Sequence, residues 1–313
     1  MPLRLLPALA VAVLLVACGS GSGPTPSPSG PVAQVGKQTI PRSLFDLRLS
    51  SALTAVEQGG GPSPGSSGYD AMLSQLRASV LKSLILDSII AQEAAFRHVA
   101  ASDADVQKEV DQDVKDAGGQ SQLQTQLAEA GGSLDQLRDA VRSRINEQRL
   151  ENLFAQDRAA AVVQQLQGGA DFATLAKQLS DDETSGPKGG DMGVMSNATL
   201  DGGDKAFAAA VRALQPGRTV SAPVRDVAGY EIIRVDAVSA AGFAVHRILV
   251  AAPQTYTVKE RPAWFEQSLL DALAQYCSND QLKVMIPGAE QPCATASPSG
   301  AAASPSASSS PTP

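Results

Sequence analysis

The chain has 313 residues, 43% of them hydrophobic, with a formal net charge of −7 and a sequence pI near 4.9. That length and apolar content allow about two domains with buried cores, and the acidic balance argues against nucleic acid as a partner, because phosphate backbones need a basic surface. The only histidines, His98 and His246, make no metal motif, and neither a nucleophile elbow nor a phosphate loop occurs, so no metal and no cofactor are expected.

The chain opens "MPLRLLPALAVAVLLVACGS", with Arg4 ahead of an apolar run from Leu5 to Val16. The run is too short to span a bilayer and reads as a secretory signal over residues 1–17. Leu15, Val16, Ala17 and Cys18 resemble a bacterial lipobox, which implies lipidation at Cys18 and a lipoprotein anchored outside the cytoplasm on a bacterial envelope membrane. Acyl chains inserted at ~0.8 kcal/mol per buried CH₂ hold such a protein without a transmembrane helix. An ordinary signal peptide that happens to contain a cysteine is the alternative. Residues 18–31 are rich in Gly, Ser and Pro and read as a disordered linker. Export would leave Cys277 and Cys293 in an oxidising compartment, where they could pair, although spacing alone does not bring two Cα atoms within bonding range and free thiols stay open.

A helical domain is expected over residues 32–155. "VAQVGKQTI" reads as two short strands around a Gly36-Lys37 turn, and Pro41 sits where a first helical turn tolerates it. Leu44, Phe45, Leu47 and Leu49 give that helix an apolar side. After a loop at Glu57 to Gly68, a longer helix from Leu76 to Phe96 carries Leu81, Leu84, Ile85, Ile89 and Ile90 at helical spacing. Ser102 with Asp105 and Ser133 with Gln136 read as helix starts, the second as a capping box. In order, "VAQVGKQTIPRSLFDLRL", "LKSLILDSIIAQEAAFRHVAASDADVQKEV" and "GSLDQLRDAVRSRINEQRL" resemble the N-terminal chaperone domain of the SurA and PrsA group of extracytoplasmic foldases.

The next block, residues 156–250, contains "GGADFATLAKQLSDDETSGPKGGDMGVM" and "AFAAAVRALQPGRTVSAPVRDVAGYEIIRV". These resemble the parvulin family of peptidyl-prolyl isomerases in the Gly-Ala-Asp-Phe helix entry, Ser180 with Asp182, the Gly189 to Gly193 run, Leu214 with Pro216-Gly217, and Gly229-Tyr230. The resemblance implies catalysis of X-Pro rotation, whose barrier of ~20 kcal/mol comes from amide resonance. Such a reaction needs an apolar seat for the proline and a polar environment that favours the twisted amide. By position in the family pattern, Met192, Leu200 and Phe207 would line the proline pocket, with ordinary core packing as the alternative. Asp182 falls where parvulins place a Cys or Asp beside the amide; Asp181 could be that acid instead, and either could be a solvated loop residue.

Two departures stand out. Where the family has Gly-Tyr-His, the chain has Gly229-Tyr230-Glu231, and Ala228 precedes them, so catalysis could be weak. The family's first strand, of the form His-Ile-Leu-Val, is missing from its usual place, because Ser133 to Gln167 reads as nearly unbroken helix. "FAVHRILV", Phe243 to Val250, is expected to fill that slot by turning back from Tyr230 to Val238, a circular permutation, with an additional edge strand or linker unrelated to the site as the alternative. Matching Ile248-Leu249-Val250 to the pattern puts Arg247 at the site, while a bulge would bring His246 there instead. The candidate set is therefore Asp182, His246 and Glu231 as catalytic residues, with Met192, Leu200, Phe207 and Arg247 as substrate-binding residues.

Residues 251–293 supply a final amphipathic helix and a short strand expected to pack back on the first domain, and residues 294–313 form a disordered Pro/Ser/Ala tail. The expected class is α+β: a helical SurA N-like domain plus a parvulin domain with a four-stranded antiparallel sheet flanked by helices. The expected activity is peptidyl-prolyl isomerisation and folding assistance for unfolded or nascent exported polypeptides. The alternatives are an isomerase-inactive holdase and, from a different class, a structural envelope lipoprotein.

Overall fold

A computed structural model describes residues 30–129, 132–252, 262–286 and 292–294. Cys18, the signal segment, the linker as far as residue 29 and the tail from residue 295 lie outside the described residues. The chain divides into two compact units, and no described helix is long and apolar enough to cross a membrane.

The first unit takes in the chain up to Glu93, Asp103–Ser143, and the part from Gln267 onward. It begins with β1 (Ala33–Val35) and β2 (Gln38–Ile40). Gly36 makes the turn between them at φ 57°, where a Cβ would lie 2.5 Å from Gln92 Oε1. Helices α1 (Arg42–Gln58), α2 (Tyr69–Phe96), α3 (Asp103–Asp116) and α4 (Gln120–Glu129) follow. Next comes α5 (Leu134–Gln167), whose Ser133 hydroxyl accepts the Gln136 N–H at 3.2 Å as a cap. Later in the chain, α9 (Ala263–Ser278) and β8 (Leu282–Val284) contribute, with β8 antiparallel to β1 in a β2-β1-β8 sheet. The core joins Val32, Phe45, Leu81, Ile85, Ile89 and Leu273. Each such side chain taken out of water stabilises by roughly 1.5–3 kcal/mol. Cys277 and Cys293 are disulfide-bonded, with Cα atoms 5.5 Å apart.

The second unit comprises Ala94–Ser102 and Arg144–Glu266. After the rest of α5 come α6 (Phe172–Leu179), β3 (Asp191–Met195), α7 (Asn197–Asp201) and α8 (Lys205–Ala213). Then follow β4 (Arg218–Thr219), β5 (Val224–Arg225), β6 (Gly229–Ser239) and β7 (Gly242–Ala251). Side chains cap the helices as their sequences require: Asp171 accepts the Thr174 N–H at 2.8 Å, and Asp204 accepts those of Ala206 and Phe207. The sheet is antiparallel throughout in the order β3-β7-β6-β4, with β5 also on β6. It is four strands wide, as expected, but the position beyond β6 is shared by two strands of two residues each.

β7, last in sequence, is interior in the sheet. It pairs with β6 from Gly229↔Ala251 to Ser239↔Gly242 and with β3 on its other side. The hairpin expected of "FAVHRILV" is therefore present, and it gives each neighbour a bonded side. Alternation along β6 and β7 builds two cores. Tyr230, Ile232, Ile248 and Val250 pack with Val162, Phe172 and Leu175 from α5 and α6. Ile233, Val235 and Val245 pack on the other face with Leu200, Phe207 and Val211 from α7 and α8.

Candidate active site

The segment Ser180-Asp181-Asp182, leaving α6, docks against the end of β7. The Asp181 N–H donates to Leu249 O at 2.8 Å, and the Leu249 N–H donates to Ser180 Oγ at 3.1 Å. Asp181 Oδ2 accepts from the Ala251 N–H at 2.8 Å and from Trp264 Nε1–H at 2.9 Å. Burial pushes the Asp181 carboxyl up, and these donors only partly offset it. Asp181 is thus a fastening for β7, which leaves Asp182 as the acid that turns toward the cleft.

Asp182 is 9% exposed and richly bonded. It accepts from the Thr184 N–H at 3.2 Å, the Ser185 N–H at 3.1 Å, the Ser185 hydroxyl, and Arg247 Nε at 3.0 Å. Burial pushes its carboxyl up, but the bonds from Arg247, Ser185 and Thr184 outweigh burial and hold it at about 2. Arg247 reaches it from β7 and also donates from Nη1 to Glu231 Oε1 at 3.2 Å. Glu231 on β6 is fully buried, and its Oε2 meets no donor among the described residues. Burial first, then the charge of Asp226 and a hydrogen bond shared with it, and the charge of Asp182, push Glu231 up to about 8 against the pull of Arg247. That direction favours the carboxylic acid, with Asp226 placed to share a hydrogen bond with it. Asp226 is itself fixed by the N–H groups of Ala228 and Gly229, at 2.8 and 3.0 Å.

The structure separates His246 from this group, correcting the expectation that it joins Asp182 and Glu231. Ile233 pairs with Arg247 and Arg234 with His246, so Arg247 shares a sheet face with Glu231 while His246 shares the other with Ile232. A bulge does exist, but it lies in β6 at Asp236, beyond the Arg247 pair, so it leaves Arg247 in place. His246 Nε2 lies 3.0 Å from Asp236 Oδ2, and its ring meets the edge of Phe172. Gly190 supports the Arg247 backbone. Its carbonyl accepts the Arg247 N–H at 2.9 Å, and at φ 85° a Cβ would come within 2.5 Å of Arg247 O.

Asp182, Thr184, Ser185, Lys188, Met192 and Arg247 line a cleft of about 460 Å³. Met192 lies on the wall of that cleft. Leu200 and Phe207 are not on that wall: at 2% and 7% exposure they belong to the core behind it, with Val211 and Ile233. Ser185 and Asp226 were missed by sequence reasoning. Ser185, three residues after Asp182, and Asp226, three before Gly229, match short side-chain-to-backbone turn patterns, the one signal that could have found them.

These features define a sheet-and-helix domain with a buried acid, a guanidinium and a partly apolar cleft, and two family models match parts of the chain. Residues 140–237 match the PPIC-type PPIASE domain, and residues 4–151 match the SurA-like N-terminal domain. The first match ends before β7, so the interior strand lies outside it. Curated relatives agree. The foldase protein PrsA of Clostridium kluyveri is 42% identical over 25% of this chain and 23% of its own length. The chaperone SurA of Ralstonia nicotianae is 27% identical over 54% of this chain and 44% of its own. The foldase protein PrsA of Clostridium tetani is 24% identical over 66% of this chain and 72% of its own. The chain thus spans less than half the length of the first two of these relatives. Similarity to a SurA-like N-terminal domain and to a PPIC-type PPIASE domain falls on one polypeptide, each over less than half of the chain.

Proposed function

We propose that the chain is a peptidyl-prolyl cis-trans isomerase and foldase that acts on unfolded or nascent exported polypeptides outside the cytoplasm. The observation that carries this reading is the Asp182–Arg247–Glu231 group beside a cleft with Met192 on its wall; Asp182, Met192 and Glu231 lie within the PPIC-type match, and Arg247 lies on the strand that follows it. Asp182 and Glu231 fix the guanidinium from two nitrogens, and Met192 offers the proline ring an apolar contact. Rotation about the X-Pro bond needs such a fixed polar environment and no covalent step.

The same reading divides the chain into a signal segment over 1–17, a tether over 18–31 and a chaperone domain over 32–155. An isomerase domain over 156–250 and a returning segment over 251–293 complete it. Its support for anchoring is the lipobox-like run ending at Cys18. Incorporation of labelled fatty acid into the wild type, lost in Cys18→Ala, tests the anchor.

The activity is tested by exchange NMR on a proline peptide with the purified chain. Faster cis-to-trans exchange that falls in Asp182→Ala supports the isomerase. Exchange no faster than in buffer, with aggregation of an unfolded client still suppressed, would reassign the chain as a holdase.

A further inference from the structure

Arg247 is committed at two of its three side-chain nitrogens, Nε to Asp182 and Nη1 to Glu231. Nη2 has no acceptor among the described residues, yet it is not among the buried side-chain nitrogens that lack a partner. It therefore meets open space, and the space beside Arg247 is the cleft. The side chain is 23% exposed, so most of it is enclosed while part of it reaches solvent. Its backbone is held too, since β7 is bonded on both sides and the Arg247 N–H donates to Gly190 O.

Isomerisation changes the charge on one atom in a way that a fixed donor can sense. In a planar amide the nitrogen lone pair is delocalised into the carbonyl, and the nitrogen is a poor acceptor. When the bond is twisted, the lone pair returns to nitrogen and the oxygen loses negative charge. A donor at the nitrogen then binds the twisted state better than either planar state, which is the condition for acceleration. A donor at the oxygen does the reverse.

We propose that Arg247 is a catalytic residue of this domain, donating a hydrogen bond from Nη2 to the prolyl nitrogen of a bound peptide as the X-Pro bond twists. No proton is transferred and no bond between heavy atoms is made or broken, because arginine stays protonated at any working pH. Pinning by two acids removes the side-chain freedom that a lone arginine would lose on binding, so the donor is oriented before the peptide arrives. Together Arg247 and Glu231 occupy positions where the parvulin pattern has imidazoles; here a guanidinium and a carboxyl group take their place. The inference rests on reading the chain as an isomerase.

The test compares Arg247→Lys and Arg247→Gln with the wild-type full chain. It measures kcat/KM for a proline peptide by exchange NMR, the peptide Kd by titration, and the fold by circular dichroism. Lysine keeps a cation for Asp182 and Glu231 but has one nitrogen, already engaged by those acids. Both variants are expected to lose about 100-fold in kcat/KM, the scale of one transition-state donor, with Kd unchanged. If Arg247→Gln fails to fold, Arg247→Lys alone decides. A folded Arg247→Lys with wild-type kcat/KM, or a loss carried entirely by Kd, overturns the proposal while leaving the isomerase reading intact. A wild-type chain that does not accelerate exchange at all overturns both.

Discussion

Arg247 Nε lies 3.0 Å from Asp182 Oδ2, joining an interior strand to a loop that precedes it by 65 positions. The contact ties the wall of the cleft to its floor. Asp182→Asn weakens the bond to Arg247 and leaves the guanidinium less compensated, so a loss of roughly 3 kcal/mol is expected by urea denaturation, together with lower isomerase activity.

The same carboxylate predicts a response to acid. Its folded-state value is about 2, below the ordinary 3.8. A lowered value stabilises above pH 3.8 and is lost as pH falls toward 2. The wild type should therefore give up about 2 kcal/mol over that window relative to Asp182→Asn. Equal slopes for the two proteins below pH 4 would remove the assignment.

Glu231 works in the opposite sense. Its folded-state value is raised from 4.5 to about 8, so the neutral acid is favoured in the folded chain. Its stabilising share is complete below pH 4.5 and is lost as pH rises through 8. Glu231→Gln keeps a neutral side chain, with an oxygen for Arg247 and an N–H for Asp226. Thermal scans at pH 8 should find it more stable than wild type by ~2 kcal/mol or more, and at pH 4 no more stable.

The interior position of β7 makes its apolar residues expensive to truncate. Ile248 is fully buried between β6 and α6. Ile248→Ala should cost about 2–5 kcal/mol in denaturant. Val227→Ala, at 72% exposure, should stay within about 0.5 kcal/mol. Were "FAVHRILV" a surface appendage, the two costs would be alike.

The disulfide closes a loop across a sequence separation of 16 residues in the first unit. Cys293→Ser, or reduction of the wild type, should lower that unit's stability by about 3 kcal/mol in the loop-entropy account. Hydrogen exchange in β1 and β8 would report it.

Much of this architecture was legible in local pattern. The spacing of Leu81, Ile85 and Ile89 marks the buried side of α2, and Ser133 with Gln136 marks the start of α5. The alternation in "YEIIRVDAV" and "FAVHRILV", with a short connection between them, was enough to pair β6 with β7. These features depend on residues within a few positions of one another, so helical period, strand period and turn length carry them. The identity of the acid at Glu231 was equally plain. Its neutrality was not, because that follows from complete burial beside Asp226 and Asp182.

Other questions belonged to the folded chain alone. Whether Arg247 or His246 faces the cleft depends on strand register and on where a bulge falls. The bulge at Asp236 lies beyond the Arg247 pair in a different strand from the residues it might have turned. Which of Asp181 and Asp182 serves the site depends on β7 some seventy positions later, where the Ala251 N–H donates to the Asp181 carboxylate and the Leu249 carbonyl accepts the Asp181 N–H. Leu200 and Phe207, apolar and in the expected order, lie in the core because α7 and α8 press them against Ile233 and Val235. Composition and period assign a residue to a face, but only contacts between distant segments decide whether that face meets a core or a cleft, and whether an acid there keeps its proton.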